Sequence, residues 1–458
     1  MLFHSWQFAV FFLIVYLAYL PLRTTRLRLP WLLAASYFFY GWWNPLYLLL
    51  IVYSTAIDYF AVLWMARSPR RRLGLVVSVI NNLGLLATLK YGTFVTENMN
   101  ALLAQLGAST RIPSPGFLLP VGISFYTFQS MSYTIDFYRG KIPREKDFVK
   151  FATFVSLFPQ LVAGPIERAG GLLPQLERRR EISPERVTDG LSLFAVGLFK
   201  KVALADHLSL YVDRVYGAPA LFHGPALALA TFAFSWQIYF DFSGYTDMAR
   251  GVARMMGFDL MLNFRNPYLA TGLGDFWSRW HISLSSWFKE YVYIPLGGNR
   301  GGRLRTYRNM ALTMLLSGLW HGAAWTFVLW GAVHAVGRCL TRELEGTSFY
   351  RDRIPASVKR LFVFAFVTFA WIFFRAESLG DAYLIVGRLF TTGLADPQVP
   401  LIVLTLCLAV WAYQLFFESR LGRIAEMRPV KVAMMCCILI YLVLFASPSH
   451  EPFIYFQF

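Results

Sequence analysis

Charged residues are scarce in this 458-residue chain, and acidic residues are the scarcer kind. Only 15% of the residues are charged, 26 of them acidic and 43 basic, whereas 57% are hydrophobic and the mean hydropathy is +0.47. Too few polar groups remain to cover one water-soluble core of this size, so a soluble globular enzyme is excluded. The composition instead predicts a protein that crosses a lipid bilayer several times.

Several sequence motifs of enzymes and pumps are missing. The chain has no GxSxG, no HExxH and no GxxxxGK[ST], which argues against a serine hydrolase, a zinc protease and an ATP-driven pump. Its few cysteines lie in or beside apolar stretches, with neither zinc-ligand spacing nor a disulfide framework. We therefore predict no metal site and assign a packing role to the four cysteines, Cys339, Cys407, Cys436 and Cys437.

The formal net charge of +17 comes from basic residues clustered between apolar runs. Such clusters face the cytoplasm and its anionic lipid headgroups, so membrane lipids are the expected partner and nucleic acid is the weaker alternative. The intervening linkers carry fewer basic residues, which predicts an external amino terminus. The basic clusters lie at 67–72, 139–150, 178–186, 338–360 and 420–431.

The apolar runs predict an all-α, polytopic transmembrane protein that forms one membrane domain over residues 1–458. We expect about 11–12 membrane helices together with re-entrant or horizontal helices, because several runs are shorter than a perpendicular span of about 20 residues. No small-residue cleavage site follows the first run, which predicts a retained helix. The runs lie near 7–20, 31–53, 54–66, 73–89, 117–135, 187–205, 223–242, 309–338, 357–374, 400–417 and 432–447.

Two histidines, His281 and His321, lie among aromatic and apolar residues, where an imidazole is costly to keep at membrane depth. A neutral imidazole can take a proton from an alcohol, so both are candidate catalytic residues, although a hydrogen-bonded structural histidine is the alternative. Helical spacing predicts Ser317 and Trp325 one turn from His321. It likewise places Trp277 and Ser285 one turn from His281, whose charged segment predicts a water-lined entrance or a membrane edge. The other histidines are assigned structural roles, with His334 kept open.

Two further polar groups have both a structural and a functional interpretation. In DFSGYTD, helical spacing brings Gln237, Asp241 and Tyr245 to one face if the helix persists through Gly244, and hydrogen bonding between helices is favoured over substrate contact. Arginines at 300, 303, 305 and 308 follow a glycine-bearing turn. They can bind a phosphorylated donor, but contact with anionic lipid is favoured.

Several sequence blocks cover 117–334 almost continuously. They are LLPVGISFYTFQSMSYTIDFYRG, LFPQLVAGPIER, FDFSGYTDMARGVARMMGF, NFRNPYLA, DFWSRWHISLSSWFKEYVYIPLGGNR and SGLWHGAAWTFVLWGAVH, with a terminal FIYFQF. With these blocks the chain resembles the membrane-bound O-acyltransferase (MBOAT) family, and 117–334 is the expected catalytic core region. Within the family it most resembles the bacterial branch of alginate O-acetyltransferase membrane subunits, and it is more distantly similar to the teichoic-acid D-alanyl transfer proteins.

The resemblance implies an enzyme that carries an acyl group through a central funnel or tunnel in a thin membrane region. His321 matches the family's catalytic histidine and His281 its second characteristic histidine. The implied donor is cytoplasmic acetyl-CoA, a substrate, with no cofactor. The implied acceptor is a hydroxyl across a bacterial inner membrane, served by an extracytoplasmic acetyltransferase partner protein and a polysaccharide. Acyl transfer from a carrier-protein thioester, as in D-alanylation, and a polar-solute transporter are the alternatives.

Overall fold

The computed structural model describes residues 1–117, 119–162, 164–178, 181–393, 399–419, 422–425, 427–444 and 453. Every regular element in this part of the chain is a helix, and it contains no strand, so the predicted all-α class is confirmed. The chain divides into two compact units. The first unit is Met1–Phe194 with Met248–Met261, and the second unit is Ala195–Asp247 with Leu262–Phe458. The single domain expected over 1–458 stays a prediction.

The first unit begins with a helix whose start is capped in the usual way. The Ser5 side chain accepts a hydrogen bond from the backbone N–H of Phe8, which satisfies one of the free donors at a helix start. Asp147 does the same for a later helix. The helices that begin in this unit are α1 (Trp6–Leu22), α2 (Arg28–Gly41), α3 (Leu46–Arg67), α4 (Arg71–Leu89), α5 (Gly92–Gln105), α6 (Ile123–Tyr138), α7 (Phe148–Ser156), α8 (Phe158–Leu161), α9 (Ala169–Glu177) and α10 (Pro184–Phe199).

A buried carboxylate joins three helices of the first unit. Asp58 on α3 accepts hydrogen bonds from Ser78 and Asn82 on α4, at 2.6 Å and 2.9 Å, and from Ser130 on α6. The Asn82 side chain also accepts from Ser54 at 3.2 Å. Because a buried polar group is costly unless it is hydrogen-bonded, this network specifies how the three helices pair. The sequence analysis did not single out Asp58.

The apolar surface of α1 shows that this unit needs a lipid environment. Phe8 and Val15 are buried against the unit, whereas Leu13, Ile14 and Leu17 on the other side are exposed. A helix with apolar residues on both faces is unfavourable in water. In a bilayer, one face can pack against the protein and the other can contact lipid acyl chains.

The second unit contains the segment that is rich in histidine and tryptophan. Three short π-helical segments interrupt the α-helices, at Lys200–Ala205, Lys289–Tyr293 and Phe349–Arg353. The α-helices that begin in this unit are α11 (Asp206–Tyr216), α12 (Gly224–Met255), α13 (Leu273–Arg279), α14 (Ile282–Phe288), α15 (Arg303–His321), α16 (Trp325–Glu345), α17 (Ala356–Arg375), α18 (Leu379–Thr391), α19 (Leu401–Glu418), α20 (Gly422–Ala425) and α21 (Arg428–Leu444).

Helices α15 and α16 form a close antiparallel hairpin. A Cβ at Gly331 on α16 would lie 2.6 Å from the carbonyl oxygen of Met314 on α15, and a Cβ at Gly318 would overlap the carbonyl oxygen of Phe327. The backbones therefore touch where each helix has a glycine, as small residues allow between membrane helices. This close approach fixes the position of the chain reversal that follows His321.

Three helices in the described part of the chain are long and apolar enough to cross a bilayer, namely α3, α4 and α17. Two shorter apolar helices, Trp6–Leu22 and Leu401–Phe416, complete this set. Together with the all-helical fold they support a polytopic membrane protein. The expected number of about 11–12 membrane helices and the central funnel stay predictions.

Two predicted helix boundaries were wrong. The run 31–53 is divided between α2, which ends at Gly41, and α3, which begins at Leu46 and continues through the separately predicted run 54–66. Pro45 lies at the start of α3, the position where a proline is tolerated. The run 309–338 is likewise two helices, because the chain becomes extended at Gly322. Hydrophobicity alone does not reveal where one helix ends and the next begins, because the helices on both sides of each break are equally apolar.

Candidate functional site

His321 is the last residue of α15, in the second unit. Only 4% of His321 is exposed to solvent. The centroid of its ring lies 5.1 Å from that of Trp320, 5.2 Å from that of Trp330 and 5.2 Å from that of Phe374. All three contacts are edge to face, with ring planes 72° to 86° apart. The imidazole is thus held in a defined orientation by aromatic rings.

The position of His321 at a helix end also affects its chemistry. The last turn of a helix presents unsatisfied carbonyl groups and the negative end of the helix dipole. A positive charge is therefore favoured at this end of the helix, whereas burial among aromatic rings opposes it.

His281 lies between the two short helices α13 and α14. Its φ angle is 42°, in the left-handed region that non-glycine residues seldom adopt. The neighbouring backbone supports this turn, because the N–H of Ile282 donates to the carbonyl oxygen of Asn263 at 2.9 Å and the N–H of Ser283 to its side-chain oxygen at 3.3 Å. A strained backbone held by surrounding bonds is a feature of functional sites.

The two candidate histidines share one aromatic neighbour. The ring of Trp320 lies 5.1 Å from His321 and 6.1 Å from His281, measured between centroids. The His281 ring also meets Phe242 of α12 at 4.6 Å. The tertiary structure therefore brings both His281 and His321 into contact with Trp320, although the two histidines are 40 positions apart in the sequence.

The predicted neighbours of the two histidines were confirmed in part. Ser317 lies one turn before His321 on α15, and the backbone N–H of Ser285 donates to the carbonyl oxygen of His281 at 2.9 Å, which places it one helical turn after His281.

The other two predicted neighbours, both tryptophans, were wrong. Trp325 does not lie on the helical face of His321, because α15 ends at His321 and Trp325 begins α16. Trp277 is not one helical turn from His281, because α13 ends at Arg279. A helix cannot pass through the left-handed turn at His281.

His281 is 1% exposed, so the predicted water-lined entrance was wrong, whereas the alternative of a membrane edge stays a prediction. The charges that suggested an entrance lie elsewhere. Arg279 pairs with Asp275 at 2.7 Å, and Lys289 is exposed on the following π-helical segment.

The polar residues of DFSGYTD lie on α12, which continues through Gly244 as the helical spacing required. Lys201, a buried cation that the sequence analysis did not single out, pairs with Asp241 of this motif. The ammonium of Lys201 lies 2.8 Å from both Asp241 and Asp206, and Lys200 pairs with Asp247 at 2.7 Å. The two lysines interrupt an apolar run in the sequence. These ion pairs support the structural interpretation of the motif.

The arginines at 300–308 lie on the loop before α15 and on its first turns. Gly297, Gly298, Gly301 and Gly302 all have positive φ angles, which explains why this loop is glycine-rich. Arg303 pairs with Glu343 of α16, and both side chains are partly exposed. The surface position fits lipid headgroups, the interpretation that the sequence favoured.

His334, the histidine kept open, is fully buried on α16. Its ring meets Trp330 at 4.7 Å and Trp277 at 5.0 Å, again edge to face. Trp330 therefore contacts both His321 and His334. Within the described residues, no three His, Cys, Asp or Glu side chains lie close enough to share a metal ion.

The fold and these residues define a class: a helical membrane protein with buried imidazoles in an aromatic cluster. Comparison with known proteins identifies the family within this class. The sequence model of the membrane-bound O-acyltransferase (MBOAT) family matches residues 114–379. The chain is 36% identical to the probable alginate O-acetylase AlgI of Azotobacter vinelandii and 38% identical to that of Pseudomonas putida, with all of each chain aligned.

A relative with a different printed activity is also similar. The peptidoglycan O-acetyltransferase of Helicobacter pylori is 36% identical over 77% of this chain and 72% of its own length. The chain belongs to the membrane-bound O-acyltransferase family, as its sequence blocks indicated. It is therefore a membrane protein and an acyltransferase.

Proposed function

We propose that this protein transfers an acetyl group from cytoplasmic acetyl-CoA, across a bacterial inner membrane, to a hydroxyl that serves the O-acetylation of an exopolysaccharide such as alginate. The similarity to alginate O-acetylases over the full chain supports the reaction class and the polymer. The observation that carries the mechanism is the position of His321, at the end of α15 and held by Trp330 and Phe374.

In the proposed reaction, His321 takes the proton of the acceptor hydroxyl as the oxygen attacks the thioester carbonyl. A tetrahedral oxyanion forms, and its collapse breaks the carbon–sulfur bond. The thiolate leaves as CoA after it receives a proton, either from the His321 imidazolium or through His281. The products are an acetyl ester and a free thiol, and no covalent enzyme intermediate is required.

The burial of both histidines has a consequence for this reaction. Because only 4% of His321 is exposed, the rings beside it must move when donor and acceptor enter. The same packing excludes bulk water, which would otherwise compete with the acceptor for the thioester. The family resemblance supports a division of labour in which an extracytoplasmic partner protein places the acetyl group on the polysaccharide.

Transfer can be measured in membrane vesicles that contain the protein, its extracytoplasmic partner and alginate oligosaccharide. Labelled acetyl-CoA is supplied on the cytoplasmic side, and released thiol and acetylated product are both counted. His321→Ala should lower the rate by about 10²- to 10⁴-fold, the usual effect of removing a general base. His207→Ala is the matched control, because His207 is exposed on α11.

Three results separate this proposal from its alternatives. Full transfer by folded His321→Ala protein would remove His321 from the mechanism. If transfer occurs only from an acyl group bound to a carrier protein, the donor is a carrier-protein thioester, as in D-alanylation, and not acetyl-CoA. Movement of intact solute without thiol release would indicate a transporter.

A further inference from the structure

Helix α5 of the first unit carries an exposed apolar stripe. The structure describes all of α5, and none of its residues is buried. Val95, Met99 and Leu102 are spaced three or four positions apart, so they share one face, and Leu106 continues this face where the helix ends. These four residues, the α5 stripe, are between 43% and 74% exposed. Such a row of apolar side chains is a surface that a protein or a lipid can cover.

The opposite face of α5 is covered by the chain itself. The return segment, residues 106–117, is bound to Asn100, whose side chain accepts from the backbone N–H of Ile112 at 2.8 Å and donates to its carbonyl oxygen at 2.9 Å. The hydroxyl of Ser114 donates to that of Thr93 at 3.2 Å. Thr93 and Asn100 lie between about 100° and 180° around the helix from every residue of the α5 stripe. The return segment therefore packs on the polar face and leaves the stripe exposed.

Helix α5 begins where a membrane span ends. The preceding helix α4 has 19 residues, and a helix of that length measures about 28 Å, close to the hydrocarbon thickness of a bilayer. Lys90 and Tyr91 follow α4, and a cation beside an aromatic ring is typical of the membrane–water boundary. Because α5 starts at the next residue, Gly92, its first turn lies near the level of the lipid headgroups.

The lipid-facing side of α4 indicates what lies beside α5. Val77, Ile80 and Leu83 on α4 are exposed apolar side chains of a helix that can cross the bilayer. In a membrane such side chains contact acyl chains, because water is absent at that depth. The lipid around the end of α4 is therefore also the material next to the start of α5.

The charges of α5 also suit a helix at a membrane surface. Its one charged residue is Glu97, which is exposed, and it contains no basic residue. Glu97 is two positions from both Val95 and Met99, so it lies on the opposite side of the helix from them. This arrangement separates an apolar face from a polar face, and it predicts attraction to lipid through apolar burial and not through anionic headgroups.

The neighbouring basic clusters indicate the side of the membrane. The cluster at 67–72 precedes α4, and the cluster at 139–150 follows α6, which ends at Tyr138. The positive-inside rule assigns both clusters to the cytoplasm, so the other end of α4 and the start of α6 lie towards the external surface. Helix α5 and the return segment connect these two ends.

We propose that α5 is an interfacial helix in the external leaflet of the membrane, with the α5 stripe among the acyl chains and Glu97 in water. A helix with these two faces lies in the plane of the membrane. Lipid acyl chains are the partner of this surface. Helix α5 precedes residues 114–379, which the family model matches, so this contact adds a membrane attachment outside the matched region.

Photo-crosslinking identifies what covers the α5 stripe. Benzoylphenylalanine, a photoreactive residue, replaces Met99 in one protein and Glu97 in the matched control, and both proteins are irradiated in native membranes and in phosphatidylcholine vesicles. Mass spectrometry should show a lipid adduct at position 99, with a yield about tenfold above that at position 97. Equal lipid yields at the two positions would overturn the proposal, as would crosslinking of position 99 mainly to a second copy or to another protein.

Lipid composition tests the apolar basis of the contact. Replacing half of the phosphatidylcholine by phosphatidylglycerol should leave the lipid yield at position 99 unchanged, because α5 has no basic residue to bind the anionic headgroup. A yield that requires phosphatidylglycerol would contradict attraction by apolar burial.

A charge within the α5 stripe should loosen the helix from the membrane. In Leu102→Glu, hydrogen exchange of the α5 backbone amides in vesicles should become about tenfold faster, because a carboxylate is excluded from the acyl chains. Ala101→Glu is the matched control, since Ala101 is exposed and lies outside the stripe, and it should exchange like the native protein. Equal exchange in the two variants would show that lipid does not hold α5.

Trypsin tests the side of the membrane. Arg111 is exposed on the return segment, and trypsin cleaves after arginine. Trypsin added to spheroplasts, which expose the external surface, should produce a fragment that begins at Ile112, and Arg111→Gln protein should not give this fragment. Cleavage at Arg111 in inverted vesicles but not in spheroplasts would place α5 at the cytoplasmic surface and overturn the assignment to the external leaflet.

Discussion

The imidazole of His321 and the indole of Trp330 meet edge to face, with centroids 5.2 Å apart and planes at 86°. The same indole contacts His334 at 4.7 Å on α16 itself. Trp330 is 1% exposed, so it is a central packing residue of the second unit as well as a neighbour of the proposed base. Its removal should therefore affect stability and transfer together.

Trp330→Ala should lower the free energy of unfolding by about 3–5 kcal/mol, because it leaves a large cavity between two helices. The transfer rate should fall as well, since the ring that orients His321 is lost. Thermal unfolding in detergent and thiol release measure the two effects. Trp6→Ala should change neither, because Trp6 is 86% exposed on α1. An unchanged transfer rate in Trp330→Ala would show that Trp330 does not orient the base.

His281→Asn should separate the backbone role of His281 from the role of its imidazole. Asparagine tolerates the left-handed conformation at φ 42°, so the melting temperature should stay near that of the native protein. Transfer should fall by about 100-fold if the imidazole positions the donor or protonates the leaving thiolate. His281→Leu should lower the melting temperature too, because the left-handed turn costs about 1–2 kcal/mol for such a residue. A fully active, folded His281→Asn protein would assign His281 a structural role only.

Gly322→Ala should disturb the site without touching either histidine. A Cβ at Gly322 would overlap the ring of Phe327, which packs on Phe374 at 5.0 Å, and Phe374 in turn contacts His321. We expect a lower transfer rate and a lower melting temperature, at a cost of about 1–3 kcal/mol typical of overpacking. Gly84→Ala on α4 is the control, because nothing lies within 4 Å of its added Cβ. Equal behaviour of the two variants would contradict the proposed contact chain.

Lys201→Met should destabilise the second unit strongly. It would leave the carboxylates of Asp206 and Asp241 buried without the ammonium that lies 2.8 Å from each. Breaking a buried ion pair on one side costs about 3–5 kcal/mol. Arg254→Gln, which removes one member of the exposed Arg254–Asp189 pair, should cost less than about 1 kcal/mol. Chemical or thermal unfolding measures the free energy of unfolding of both variants. Similar decreases in the two variants would show that the ion pairs of Lys201 with Asp206 and Asp241 contribute little to the stability of this unit.

The composition and the sequence blocks determined the class of this protein. The excess of apolar residues required lipid as solvent, and the all-helical fold follows because helices satisfy every backbone hydrogen bond within one segment. The sequence blocks over 117–334 were sufficient to select a family, which the comparisons confirmed. The periodicity was also correct for α12, where the helix persists through Gly244.

Only the tertiary structure decided which residues surround the histidines. Helical spacing placed Trp325 beside His321, but the chain reverses at Gly322 and brings Trp330 there instead. The left-handed turn at His281 has no marker in the sequence, because it is held by hydrogen bonds that the next two backbone N–H groups donate to Asn263, eighteen residues before His281. Periodicity describes neighbours along one continuous helix, whereas these contacts depend on where helices stop and which distant segments then meet.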